Sequence, residues 1–306
     1  TDANLVLGRL SATHFLGGAA RLDAGAAREA IARFARSIGL SPVQAAEGIT
    51  RVANATMERA IRVISLERGH DPRDFALVCF GGAGAMHAAD LARTLGIPRV
   101  VVPESAGALS ALGLLLADFV RDYSQTLLVP VAKLDARRVE EAFRRLEARA
   151  RNEFAAEGFA LAKVALRRSL DLRYVGQGFE LTVPMGRDFA RRFHELHRRR
   201  YGYADPRRTV ELVNVRLLAT ARTEKPRLRK HRAAGPSAKG AIIGETRMVF
   251  EGKERRAPLL DRALLRPGNA FRGPALVVEY STTTVVPPDF RCVMDRSRTL
   301  LLDPRA

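Results

Sequence analysis

Cysteine is scarce. The 306 residues hold two, Cys79 and Cys292, which make neither a disulfide framework nor a zinc site. A reducing cytoplasm is the expected setting. No apolar run approaches the roughly 20 residues a membrane span needs, so no membrane contact is expected. The opening TDANLVLGRL has neither the basic start nor the apolar centre of a secretory leader. The GxxxxGK[ST] phosphate loop, the GxGxxG dinucleotide spacing and the G-x-S-x-G nucleophile elbow are all missing. There is no internal repeat and no coiled-coil pattern.

Lysine is nearly absent too. It supplies six of the 51 basic residues, and none of those six precedes Lys133. Net charge is +18, unevenly spread. Residues 1–130 carry 13 basic and 12 acidic side chains, so residues 131–306 carry 38 and 21, a net of +17. Such asymmetry can mark a nucleic-acid surface. No binding motif accompanies it, and abundant Arg and Ala read as a compositional bias, so nucleic acid is not an expected partner.

The length suits about two domains. Asp23 is a cap-type residue before a helix over 26–38, and Ser41-Pro42 opens a long one reaching about residue 68. Its apolar positions Ile49, Val52, Met57, Ala60, Ile61 and Ile64 suggest a buried spine packed on a sheet. The run 75–80 is apolar on both faces, the pattern of a central strand. A helix over 85–95, a strand at 99–102, a small-residue helix at 107–117 and a strand at 123–129 follow. This alternation predicts an α/β domain over 1–129. A charged amphipathic helix over 135–158 opens a second, strand-rich α+β domain over 130–306. Its strands are expected at 164–175, 179–183, 210–220, 241–250, 275–279, 283–286 and 299–302, with a helix over 187–201. The stretch 224–240 reads as an exposed loop.

The strongest local signal is Phe75–Asp118, which reads strand, glycine turn, helix, strand, small-residue turn, helix. Gly81-Gly82-Ala83-Gly84 let a ligand approach the backbone closely, because glycine has no Cβ. A helix start behind them offers free N–H groups and the positive dipole end to an anion. A strand–GGAG–helix can equally be a tight structural turn. His87 can touch a ligand there or simply bond nearby groups. His194 and His197 share a helix face without a third metal ligand, and His197-Arg198-Arg199-Arg200 reads as a solvated face. Ser105, Ser110 and Ser281 sit in no nucleophile motif, and the small residues around Ser110 suit close helix packing. Cys79 in its apolar strand reads as an inert core thiol. The hydroxyl-rich 280–284 is accounted for by β-propensity and an edge strand.

Taken together, the ordered stretches TDANLVLGRL, ERGHDPRDFALVCFGGAGAMHA, VVPESAGALSALGLLLAD, DLRYVGQGFEL, RRYGYADP, VELVNVRLLA and GPALVVEYSTTTVVPP resemble the hydantoinase A/oxoprolinase family over nearly the whole chain. The resemblance implies the second lobe of an actin-like, sugar-kinase-like ATPase core followed by a smaller α+β domain. It maps Gly81, Gly82, Ala83 and Gly84 onto the turn that contacts ATP, and His87 onto the histidine of GGAGPLHA. Ala85 and Met86 depart from that pattern, and the lost proline changes the stiffness of the helix start. ATP and Mg²⁺ are the implied cofactors, used to activate a cyclic amide such as a hydantoin or 5-oxoproline by phosphoryl transfer to oxygen. The alternatives are the ATP-using subunit of an acetone- or acetophenone-type carboxylase and a non-catalytic interaction module. Implied partners are a hydantoinase B-like subunit or domain and an upstream half carrying the first phosphate loop and the Mg²⁺ carboxylates. Residue 1 is Thr, and the chain is expected to be a fragment that is inactive alone.

Overall fold

The computed structural model describes residues 1–225 and 230–305. Helices α1 (Asp2–Val6), α2 (Ala24–Ser37) and α3 (Pro42–Ile64) open the chain. They are followed by β1 (Ala76–Val78), α4 (Gly84–Leu95), β2 (Arg99–Val102) and α5 (Leu109–Leu116). Then come β3 (Phe119–Pro130), α6 (Ala136–Ala156), β4 (Val164–Tyr174), β5 (Leu181–Pro184), α7 (Phe189–Tyr201) and β6 (Val210–Ala221). The chain closes with β7 (Ile242–Phe250), β8 (Lys253–Asp261), β9 (Ala270–Arg272), β10 (Ala275–Val278), β11 (Thr283–Val286), β12 (Phe290–Met294) and β13 (Leu300–Pro304).

Chain order and compactness divide the molecule differently. One unit joins Thr1–Leu115 to Arg227–Ala306, and the other is Leu116–Pro226. The linear division at 129/130 therefore does not describe the compact bodies. The reason is non-local pairing: Val101 of β2 faces Leu301 of β13 across an antiparallel ladder.

In the first unit, local signals set the helix starts. Asp23 accepts from Ala26 N–H, and Ser41 with Gln44 makes a reciprocal capping box ahead of Pro42. One sheet runs β1-β2-β13-β12-β9 and another β11-β10-β8-β7. Glu251 and Gly252, both at positive φ, turn β7 into β8, as a tight two-residue hairpin requires. Val100, Val102, Leu300, Leu302, Cys292 and the alanines of α4 share one core.

Two sequence expectations change here. β1 lies at the edge of its sheet, with Phe75, Val78 and Phe80 exposed. α3 is not a buried spine: Val52 is 69% exposed, and Ile49, Val63 and Ile64 are also open. Apolar periodicity marks a face to be covered without saying what covers it. α5 makes the same point, since none of its eight residues is buried and Leu114 and Leu115 are 78% and 70% exposed. The close packing expected around Ser110 is not made among the described residues.

Of the expected loop 224–240, residues 226–229 lie outside the described residues. Residues 230–237 are exposed, yet pinned: Asn269 Nδ2 donates to the carbonyls of Gly235 and Ser237, and Ala238 is buried.

The second unit is an antiparallel sheet, β3-β6-β4-β5. α6 lays Val139, Ala142, Phe143, Leu146, Ala150 and Phe154 into its core, beside Leu170, Leu172, Leu212 and Leu217. Fully buried Asp171 is held by Thr182, Asn214 and Arg216, so its charge is paired and hydrogen-bonded as burial demands.

Candidate functional site

The chain leaves β1 through Cys79, whose N–H donates to Val101 O at 2.9 Å. Gly81 then takes φ +83°, a left-handed conformation suited to glycine. Its N–H donates to Ala106 O at 2.9 Å, which ties the turn to the segment after β2. Thr282, itself buried, lies with Oγ1 3.0 Å from Gly81 O and 2.9 Å from Gly82 O. The single hydroxyl proton of Thr282 is shared between these two carbonyls. Gly82 and Ala83 are exposed, and α4 begins at Gly84 with no side chain capping it. A turn locked by its carbonyls, leading to an uncapped helix of 12 residues, leaves N–H groups and the positive dipole end for an anion.

A second wall comes from residues 280–282. Gly107 lies so close to Ser281 that any Cβ there would overlap the serine's side chain and carbonyl. Tyr280 is 68% exposed and packs on Gly17. Ser105, a non-glycine residue at φ +55°, turns the chain into this wall, a conformation that costs energy and must be held by its surroundings. Arg262 holds them. It is buried, pairs with Glu279 at 2.8 Å, and donates to the carbonyls of Val102, Pro103 and Arg298. Burial pushes the Glu279 carboxyl up, and Arg262 opposes that shift.

His87 sits one turn into α4, and its Nδ1 lies 2.7 Å from Asn54 Oδ1 on α3. With the carbonyl oxygen accepting, Nδ1 carries the proton. Burial lowers the His87 pKa, with Asp90 opposing, so the ring is neutral near pH 7. The structure therefore brings Gly81, Gly82, Ala83 and Gly84 together as one turn and gives His87 a partner on α3. Beside that partner lies a polar cleft of about 830 Å³, lined in part by Arg9, Asn54, Asp90, Arg93 and Asp289. Arg9 is buried there over the Phe250 ring at 4.7 Å and donates to Val249 O.

The other candidates resolve plainly. Burial pushes the Cys79 thiol up to about 12, an inert core thiol. His197 does not lie on a solvated face, being 0% exposed. Its Nδ1 is 2.8 Å from Tyr203 O and its Nε2 3.1 Å from Gln177 Nε2. Both nitrogens are engaged, and among the described residues no group of three His, Cys, Asp or Glu could hold a metal ion. Thr282 and Arg262 were missed from sequence. The hydroxyl run around Thr282 was a visible signal, but nothing local links it to Gly81.

The hydantoinase/oxoprolinase family model matches residues 1–123, and the model of that family's C-terminal domain matches residues 131–304. The chain belongs to the hydantoinase/oxoprolinase family. Caprolactamase subunit alpha of Pseudomonas jessenii is 33% identical over 319 residues, covering 99% of this chain and 46% of that one. The crystal structure of ATP-dependent caprolactamase from that organism matches with a TM-score of 0.76 over 99% of this chain and 46% of that one. 5-Oxoprolinase 1 of Arabidopsis thaliana is 30% identical over 323 residues, 97% of this chain and 25% of that one. A nucleotide-free acetone carboxylase structure is 27% identical with a TM-score of 0.84, again over 99% and 46%. The chain thus spans about half or less of the length of these family members.

Proposed function

We propose that this chain is the glycine-turn lobe and C-terminal region of an ATP-dependent enzyme that opens cyclic amides of the hydantoin or 5-oxoproline type. The observation that carries the reading is the turn Gly81–Gly84. Its exposed backbone leads into an uncapped helix while Thr282 occupies its carbonyls. The kinship with caprolactamase and 5-oxoprolinase supplies the reaction class.

The turn fits a nucleotide phosphate. Among the described residues, and leaving aside its chain neighbours, no atom lies within 4 Å of where a Gly81 Cβ would stand, and Gly82 is open to solvent. N–H groups at the start of α4 hold phosphate oxygens, and the Thr282 hydroxyl shares its proton between the carbonyls of Gly81 and Gly82. Bound ATP would pass its terminal phosphoryl group to the amide oxygen and leave as ADP, with Mg²⁺ balancing charge. Water adding at the activated carbon would expel the ring nitrogen and leave an acyl phosphate, which a second water would split to carboxylate and phosphate. The Mg²⁺ carboxylates and the first phosphate loop belong to further polypeptide, as the relatives' greater length suggests. That polypeptide is the other part of an actin-like core, and it covers β1's edge, α5 and the open face of α3. A hydantoinase B-like subunit or domain completes the enzyme, in a cytoplasmic setting that suits two unpaired thiols. His87 positions α4 against α3 through Asn54 at the margin of the nucleotide site.

The TM-score of 0.84 to acetone carboxylase favours one second reading, the ATP-using subunit of a ketone carboxylase. Turnover of the assembled enzyme decides between them. ATP consumption dependent on 5-oxoproline, a hydantoin or caprolactam supports the hydrolase, whereas consumption dependent on acetone with bicarbonate replaces it. If neither stimulates ATP use, both enzyme readings fail and the chain is an interaction module.

A further inference from the structure

Two of the family-like stretches, DLRYVGQGFEL and RRYGYADP, play no part in the glycine turn. Both lie in the second unit, and there they meet. Tyr174, fully buried at the end of β4, places its hydroxyl 2.7 Å from His194 Nδ1 and accepts from Asp205 N–H at 2.9 Å. Gln177 accepts from Tyr174 N–H through Oε1, and its Nε2 reaches His197 and the Tyr203 hydroxyl. His197 in turn holds the Tyr203 carbonyl. Val175 N–H donates to Thr209 O, and Arg208 donates back to Val175 O. Burying an imidazole, a phenol and an amide is costly unless every polar atom finds a partner. Four of these bonds tie the turn 174–180 to the turn 202–209, and three more tie the turns to His194 and His197 of α7.

These immobilised turns display an apolar tip. Phe179 is 81% exposed, and Val175, Tyr201 and Tyr203, on the same turns or at their start, are also open. One flank is basic. The ion pairs of α7 are made by Arg191 and Arg192, while Arg198, Arg199 and Arg200 stand exposed and Arg207 pairs with Asp205 at 3.6 Å. Aromatic anchors on rigid turns cost little entropy to bind, and an apolar centre with charge at its margin is the anatomy of a protein–protein interface. A single-stranded nucleic-acid groove would instead run charge along its centre between stacking rings.

We propose that the paired turns dock a second protein subunit, which receives Phe179 in an apolar recess and meets the arginine flank with carboxylates. One relative is named caprolactamase subunit alpha, a name that implies a further subunit in that enzyme. The inference uses only second-unit geometry, so it can fail while nucleotide binding at Gly81–Gly84 stands, and the reverse.

The test titrates the enzyme's separately purified second subunit into the full-length protein containing this chain. Phe179→Ser and the triple change R198E/R199E/R200E are compared with wild type. Both changes lie on exposed positions, and an unchanged melting temperature verifies folding. The expected result is at least a tenfold weaker Kd for Phe179→Ser, the loss of an interface anchor. The triple variant should also weaken binding and lose the salt dependence of the wild type. A photo-crosslinker at position 179 should map to the second subunit. Unchanged affinity in both variants overturns the proposal. So does a crosslink to nucleic acid, to another copy or to the same polypeptide, or the lack of any second subunit.

Discussion

At the residue scale, glycines mark different constraints. Gly107 exists because Ser281 leaves no room for a Cβ. Gly107→Ala is expected to destabilise the chain by about 1–3 kcal/mol, the usual cost of overpacking. Chemical denaturation measures it, and a neutral result would mean the wall of residues 280–282 is loose. Gly82 is different: among the described residues beyond its chain neighbours, only Ser281 O, at 3.4 Å, is near its missing Cβ. Its substitution should leave the fold intact. The cysteines offer an independent check of the core. Cys79 is held up to about 12 and Cys292 is raised further, in both cases chiefly by burial. Neither should react with a thiol reagent at pH 8 until the chain is unfolded. Rapid labelling of the native protein would show that the core around β12 opens.

At the element scale, the outcome turns on what lies within reach of a sequence window. Caps were legible because their chemistry is local: Asp23 with Ala26, Ser41 with Gln44. The glycine turn was legible as a shape for the same reason. β8 was not, because Lys253-Glu254-Arg255-Arg256 and Pro258 disguise a strand that pairs on both sides. β9 and β12 are three and five residues long, too short for a period-2 pattern to stand out. The burial of His197 was hidden by the three arginines that follow it. α5 and the β1 edge form the complementary case, since their sequence calls for burial that this chain alone does not give. In the complete enzyme, amide hydrogen exchange in 76–80 and 109–116 should slow at least tenfold relative to the isolated chain. Equal exchange rates would show that these elements stay bare.

At the scale of the whole molecule, the two compact units hold two distinct features, a backbone turn in one and a braced pair of turns in the other. Both contain a histidine whose pKa is lowered, His87 and His194, in each case first by burial. The unfolded chain therefore binds protons more readily near the ordinary value of about 6.5. The stability these neutral rings contribute is present above that pH and is lost as pH falls through the lowered folded values. Melting temperature should fall between pH 7 and pH 5, and His87→Gln should flatten part of that slope; a flat profile would contradict it. The division into units was illegible from sequence because β2 and β13 meet only in the fold. The family was legible because its ordered motifs survive without any long-range information.

The most direct test of the proposed nucleotide site is calorimetric titration of ATP with Mg²⁺ into the full-length enzyme carrying this chain, wild type against Gly82→Val. The expected result is at least a tenfold loss of affinity in the variant at an unchanged melting temperature. Equal affinity in the two proteins would contradict a phosphate seat at Gly81–Gly84.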